Sequence, residues 1–135
     1  MKAHYEGGLA YTRSQTETMK LHGWMKKVDF DDPLYYYGSD AAAIRYLQGQ
    51  GYSQLIHPEL PYTVAEVAWA VLNEMAMTVE DVLARRSRAL FLDSKAALAC
   101  MQYAADVIKA HLNHSEAEMD RQKQEFERLV EQYSL

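Results

Sequence analysis

The sequence predicts an all-α protein, a bundle of about five helices that follows an irregular amino-terminal arm. From Ser39 onward, apolar residues recur at helical spacing and alternate with residues that cap helices. Residues 1–38 show no such period and contain four of the six glycines. Six glycines and three prolines in 135 residues are too few for the many turns of an all-β chain. We therefore expect an arm or linker over residues 1–38 and a helical domain over residues 39–135.

The first two helices of this domain have recognisable starts. Ser39 or Asp40 can cap a short helix over residues 41–47, which two glycines then end. Thr63 and Glu66 have the spacing of a capping box, in which each side chain accepts a hydrogen bond from the backbone N–H of the other residue. The helix that follows is apolar on nearly every side, which is typical of a central, buried helix.

Three further helices are expected towards the carboxyl end. Thr78 begins the first, whose apolar residues continue at helical spacing as far as Leu90. Asp93 caps a long helix over residues 94–112. Ser115 begins the last helix, which has a narrower apolar stripe. We therefore expect the last helix to be the most exposed of the bundle.

Composition narrows the class of protein further. At 135 residues the chain is long enough for one domain with a buried core. A net charge of -5 does not favour a nucleic-acid partner. The single cysteine excludes an internal disulfide framework and a cysteine-based zinc site. Because the chain shows neither a secretory signal nor the run of about 20 apolar residues that a membrane span needs, we expect a cytoplasmic protein.

The densest charge feature is a group of three arginines, Arg85, Arg86 and Arg88. Guanidinium groups match phosphate, so one interpretation is a site for an anion or a partner. We favour structural ion pairing instead. Asp81 lies four residues before Arg85, which is the spacing of a helix-surface pair. Arg86 falls on the apolar stripe, so we expect it to be partly buried against a carboxylate of the central helix, either Glu66 or Glu74.

No set of residues forms a self-contained active site. His111 and His114 are three residues apart but lack the carboxylate or cysteine that would complete a metal site. Cys100 lies in a predicted helix with no base beside it, which is typical of an inert, buried thiol. The pair Gly7-Gly8 lacks the spacing of a phosphate-binding loop. We therefore predict no catalytic, cofactor-binding or metal-binding residues.

Four segments of the chain, taken together, resemble a known family. They are Leu21-His22-Gly23-Trp24, Tyr37-Gly38-Ser39-Asp40-Ala41, the run from His57 to Val67, and the run from Asn73 to Arg88. In this order they closely resemble the C-terminal helical domain of FAD-dependent glycerol-3-phosphate dehydrogenases, which are aerobic, quinone-linked flavoenzymes, and of the related glycerophosphate oxidases. The resemblance covers about residues 16–133. Leu72 and Met77 depart from it, since the family pattern has arginine at both positions.

The resemblance implies a division of labour within a larger enzyme. In such enzymes an amino-terminal Rossmann-type domain binds FAD, a sheet-rich domain holds glycerol 3-phosphate, and the helical domain packs on the others. The parent enzyme would oxidise glycerol 3-phosphate to dihydroxyacetone phosphate and pass the electrons to quinone. The chain lacks the glycine-rich dinucleotide motif, so no FAD or substrate residue is carried over to it. We expect a structural, cap-like domain that has no cofactor of its own and is inactive in isolation.

The resemblance also implies partners and a location. The FAD-binding and substrate domains of the parent are the first partners, and a second copy of the chain, in a homodimer, is another. The parent would lie in the cytoplasm or peripherally at the inner face of the cytoplasmic membrane. The alternative function is a free-standing helical adaptor that binds a protein partner. A nucleic-acid module built on the three arginines is a third hypothesis, which the net charge disfavours.

Overall fold

The computed structural model describes residues 12–133, which fall into two compact units. Unit 1 ends at Ala41 and unit 2 begins at Ala42. Within residues 12–133 no strand forms, and extended pairing is limited to an isolated antiparallel bridge between Leu55 and Thr63. The predicted all-α fold is therefore confirmed, as is the irregular amino-terminal region.

Five α-helices form in the described residues. In chain order the elements are a 3-10 helix Tyr35–Asp40, α1 Ala41–Leu47, a π-helix Gln48–Tyr52, α2 Val64–Asn73, a second π-helix Asp81–Arg86, α3 Ala89–Leu92, α4 Ser94–Leu112 and α5 Glu116–Tyr133. The Thr63 N–H donates to the Glu66 carboxylate at 2.7 Å, as the predicted capping box requires. The Asp93 carboxylate accepts a hydrogen bond from the Ala96 N–H at 2.9 Å and so caps α4. The predicted bounds of α1 and α4 are confirmed.

The core of unit 2 is built around α2, of which residues 64–71 are all buried. Apolar side chains of α4 and α5 complete it, with Ala104 and Ile108 from α4 and Phe126 and Val130 from α5. The predicted central helix is therefore confirmed. The small alanines of α4 allow neighbouring helices to pack closely, and the large ring of Phe126 fills the core from α5.

The helix expected from Thr78 to Leu90 is two pieces rather than one. The backbone N–H of Ser87 donates to the Val82 carbonyl oxygen at 3.0 Å, and the Ser87 hydroxyl donates to the same oxygen at 2.8 Å. A bond from residue i+5 back to residue i is the mark of a π-helix. Arg88 then adopts a left-handed backbone, with φ of 59°, and α3 begins at the next residue. Apolar residues recur at helical spacing without a break from Thr78 to Leu90, but the wider turn of the π-helix divides the structure into two helices.

Unit 1 is held together by a close crossing of two backbone segments. A Cβ atom on Gly38 would lie 1.8 Å from the Gly23 carbonyl oxygen, and Gly38 has φ of 56°. The Ser39 N–H donates to the same carbonyl oxygen at 3.2 Å. His22 Nδ1 lies 2.5 Å from Asp40 Oδ2 and links the segments through side chains. Glycine is required at position 38 because a side chain would displace the backbone that it crosses.

This crossing gives the first prediction. Gly38→Ala should open it, because the new methyl group collides with backbone and a left-handed alanine costs about 1–2 kcal/mol by itself. Hydrogen exchange of the Ser39 amide should therefore become faster in the variant. Gly49→Ala is the matched control, since a Cβ atom at Gly49 would meet nothing within 4 Å. Equal exchange of Ser39 in both variants would contradict the role given to the crossing.

Candidate functional site

The first of the three arginines, Arg85, is held by two carboxylates of its own segment. Its Nη1 lies 2.5 Å from Asp81 Oδ1 and its Nη2 lies 2.6 Å from Glu80 Oε1. The other oxygen of Asp81 accepts the backbone N–H groups of Met77 and Thr78, each at 3.1 Å. Burial raises the pKa of Asp81, but these hydrogen bonds outweigh it and leave the pKa below its ordinary value. Arg85 therefore stabilises the start of the π-helical segment.

Arg86 binds the end of α2 and lies at the surface. Its Nε and Nη2 donate to the Glu74 carbonyl oxygen at 3.1 and 2.7 Å, and the Glu74 carboxylate is farther away, at 3.8 Å. The side chain is 34% exposed and is therefore partly buried, and Glu74 is the carboxylate beside it, one of the two that the sequence offered as partners. Across the wider turn of the π-helix, the Ser87 hydroxyl contacts the Val82 carbonyl oxygen.

Glu66 and Arg88 are the remaining candidates for ion pairing. Glu66 is buried, and one of its oxygens accepts both the N–H and the hydroxyl of Thr63. Arg88 is exposed, and in residues 12–133 no carboxylate forms an ion pair with it. The Tyr62 hydroxyl has a raised pKa, because burial and the Glu66 charge outweigh the opposing effect of Arg88. The three arginines thus have separate surroundings and do not converge on one anion.

A glutamine that the sequence analysis did not single out joins α5 to the start of the π-helical segment. Gln122 is buried, and its Oε1 accepts the backbone N–H of Val79 at 3.2 Å. Its Nε2 donates to Glu118 Oε1 at 2.9 Å and lies 3.4 Å from His114 Nδ1. The two bonded residues are 43 positions apart, so no local pattern could reveal the contact. A polar residue on the apolar side of α5, at the spacing of Met119 and Phe126, is the one signal the sequence offers.

Gln122→Leu should destabilise unit 2. The change keeps the side-chain volume nearly constant but leaves the buried Val79 N–H without its acceptor. This loss should lower the free energy of unfolding by about 1–3 kcal/mol. Urea unfolding followed by circular dichroism measures the loss. Gln124→Leu, at an exposed position of the same helix, is the control and should stay within about 0.5 kcal/mol of the parent. If the two variants unfold at the same urea concentration, the Gln122 hydrogen bond contributes nothing.

Glu118 makes a pH-dependent contribution to the stability of the folded state. Hydrogen bonds from Arg121 and then from Gln122 lower its pKa from 4.5 to about 2. A carboxyl whose pKa is lower in the folded state stabilises the fold fully above pH 4.5, and this contribution is lost as the pH falls towards 2. Asp81, whose pKa is also lowered, acts in the same direction.

The corresponding variant is Glu118→Gln, which cannot titrate. Its stability should change less between pH 5 and pH 2 than that of the parent, because one carboxyl with a lowered pKa has been removed. Thermal unfolding at a series of pH values measures this slope. Glu127→Gln, at an exposed position of α5, should leave the slope unchanged. An unchanged slope in Glu118→Gln would refute the assignment.

Within residues 12–133, the remaining reactive groups do not assemble into a metal centre or place a base beside Cys100. Cys100 is buried, its Sγ lies 3.3 Å from the Ile56 carbonyl oxygen, and burial raises its pKa, which disfavours the thiolate that a nucleophile needs. In the part of the chain that the structure describes, no group of three or more His, Cys, Asp or Glu side chains is placed to hold a metal. The helices of this same part include none that is long and apolar enough to cross a bilayer.

FAD, the cofactor that the resemblance implies, does not fit residues 12–133. Dinucleotide-binding folds hold the pyrophosphate at a glycine-rich turn between a strand and the start of a helix. The described range contains no strand to precede such a turn. Gly49 and Gly51 lie in the π-helix that follows α1, and Gly23 and Gly38 meet each other. No step of flavin chemistry is therefore assigned to these residues.

Comparison with known proteins now decides the family. The sequence pattern of the C-terminal domain of alpha-glycerophosphate oxidase matches residues 2–119. The chain belongs to this family. The resemblance seen in the sequence is thereby confirmed, and residues 12–133 of this family member form helices and no strand.

Two curated relatives share part of this C-terminal domain. The probable mitochondrial glycerol-3-phosphate dehydrogenase of Caenorhabditis elegans is 44% identical over 69 residues, which are 51% of this chain and 9% of the relative. The mitochondrial glycerol-3-phosphate dehydrogenase of Schizosaccharomyces pombe is 37% identical over 65 residues, which are 48% of this chain and 10% of the relative. The chain thus matches about a tenth of the length of each relative. No solved structure matches it.

Proposed function

We propose that the chain acts as the structural and interaction domain of an FAD-dependent glycerol-3-phosphate dehydrogenase. The match of residues 2–119 to a C-terminal domain of this enzyme class carries the proposal. Two further observations support it. Both curated relatives bear the name glycerol-3-phosphate dehydrogenase. Asp81, Arg86 and Gln122 form hydrogen bonds to backbone groups of the same domain, which is the pattern of a scaffold.

The parent enzyme that we propose oxidises glycerol 3-phosphate to dihydroxyacetone phosphate with FAD as the electron acceptor. FAD and the substrate are bound by other domains, on which this domain packs as a cap. A homodimer formed through a second copy belongs to the same proposal. The relatives are named as mitochondrial, whereas for this parent we propose the cytoplasm or the inner face of the cytoplasmic membrane.

The proposal predicts that the purified chain is colourless and inactive. It should show no visible flavin absorption after purification, and it should not reduce an artificial electron acceptor when glycerol 3-phosphate is added. A full-length glycerol-3-phosphate dehydrogenase from Schizosaccharomyces pombe serves as the positive control in the same assay. Stoichiometric flavin in the purified chain, or turnover by the chain alone, would overturn the proposal.

A free-standing helical adaptor is the alternative function, and the exposed large apolar side chains favour it as a second candidate. The native coding sequence separates the two. A glycine-rich dinucleotide motif encoded upstream in the same polypeptide or transcript supports the flavoenzyme domain. A gene that encodes this domain alone and lies apart from any flavoenzyme gene supports the adaptor.

A further inference from the structure

Unit 1 exposes most of its large apolar side chains. Among its described residues, eight such side chains are exposed, all between positions 19 and 36, and two are buried. In unit 2 the buried large apolar side chains outnumber the exposed ones. Scattered exposed apolar residues are ordinary, but so dense a group marks a surface that another molecule covers. We call these eight side chains the 19–36 surface, and its most exposed members are Leu21 at 75% and Phe30 at 76%. The eight residues are Met19, Leu21, Trp24, Met25, Val28, Phe30, Tyr35 and Tyr36.

Three of the four aromatic members of the 19–36 surface are arranged against one another. The ring of Phe30 lies 5.6 Å from that of Tyr35, and Tyr35 lies 5.5 Å from Tyr36, measured between centroids. Lys20 places its ammonium group 4.4 Å from the ring of Trp24. Such contacts limit the rotamers of the exposed rings, so less conformational entropy is lost when a partner covers them.

We propose that the 19–36 surface is where this domain docks onto the catalytic body of the dehydrogenase, meaning the FAD-binding and substrate domains. This inference rests on the proposed function. The shared region is 9% and 10% of the two relatives, so most of an enzyme of this kind lies outside it. Because the family is a C-terminal domain, that remainder precedes it in the chain. Unit 1 is the amino-terminal unit and is therefore next in sequence to the catalytic body.

The charges of unit 1 favour a protein partner over a lipid surface. Its described residues include four Lys or Arg and five Asp or Glu side chains. Three of the acids, Asp29, Asp31 and Asp32, lie beside Phe30, the most exposed aromatic residue. Anionic lipid headgroups attract clusters of basic residues and repel acidic ones. A mixed surface of aromatic, apolar and charged groups is instead typical of a protein interface.

The test uses a graft, in which the matched C-terminal region of the Schizosaccharomyces pombe enzyme is replaced by this chain. Glycerol-3-phosphate oxidation by the graft reports on the proposed function, with the unaltered enzyme as reference. Tryptic cleavage after three exposed lysines of unit 1, Lys20, Lys26 and Lys27, reports on docking. We expect the graft to be active and cleavage at these lysines to be about tenfold slower than in the isolated chain, or slower still.

Two matched pairs of variants test whether the 19–36 surface is what protects the lysines from tryptic cleavage. The pair Leu21→Gln and Phe30→Gln should restore rapid cleavage in the graft, because polar amides replace the most exposed apolar groups. The pair Tyr46→Gln and Leu92→Gln makes the same change at exposed positions of unit 2 and should leave the protection intact. All four positions are exposed, so neither pair removes a buried side chain.

The remaining outcomes overturn either the proposed function or the docking surface. An inactive graft overturns the proposed function and this inference with it. An active graft whose lysines are cleaved as fast as in the isolated chain overturns the docking surface alone. The docking surface is also overturned if the isolated chain protects these lysines by dimerising. Protection that appears only with phosphatidylcholine and phosphatidylserine vesicles has the same consequence, because it identifies a membrane as the occupant.

Discussion

Burial of α2 is the constraint on which the rest of unit 2 depends. Residues 64–71 are all buried, so the neighbouring elements present apolar side chains to this helix or to a helix that covers it. A helix with no polar side cannot exist at a surface, and its removal from water supplies the main driving force for the domain. Glu66 is the one acid in this buried stretch, and it is accommodated because its carboxylate accepts hydrogen bonds from Thr63 at the helix start.

The polar contacts of unit 2 position the segments around this core. Arg86 ties the end of α2 to the π-helical segment, and Gln122 ties α5 to the start of the same segment. In both hydrogen bonds one partner is a backbone group, so each bond holds a segment of main chain in place. Arg85 adds to this arrangement through its ion pairs with Asp81 and Glu80.

Local signals in the sequence were sufficient for most of the helices. Capping residues such as Thr63 and Asp93 act within three positions, and the apolar period identified α2 and α4. Three features were beyond such reasoning. The π-helix depends on a serine that bonds five residues back, the Gln122 bond spans 43 positions, and the Gly23–Gly38 crossing is a contact between distant backbones. Each arises from tertiary geometry, which a single sequence does not display.

We propose that this domain works as part of a flavoenzyme that oxidises glycerol 3-phosphate. Mass spectrometry of the enzyme that carries this activity, purified as a flavoprotein from the cells that make this chain, tests the proposal most directly. We expect peptides from α4 and α5 of this chain to copurify with the flavin and the activity at a constant ratio. A flavoprotein that holds all of the activity and contains no peptide of this chain would contradict it.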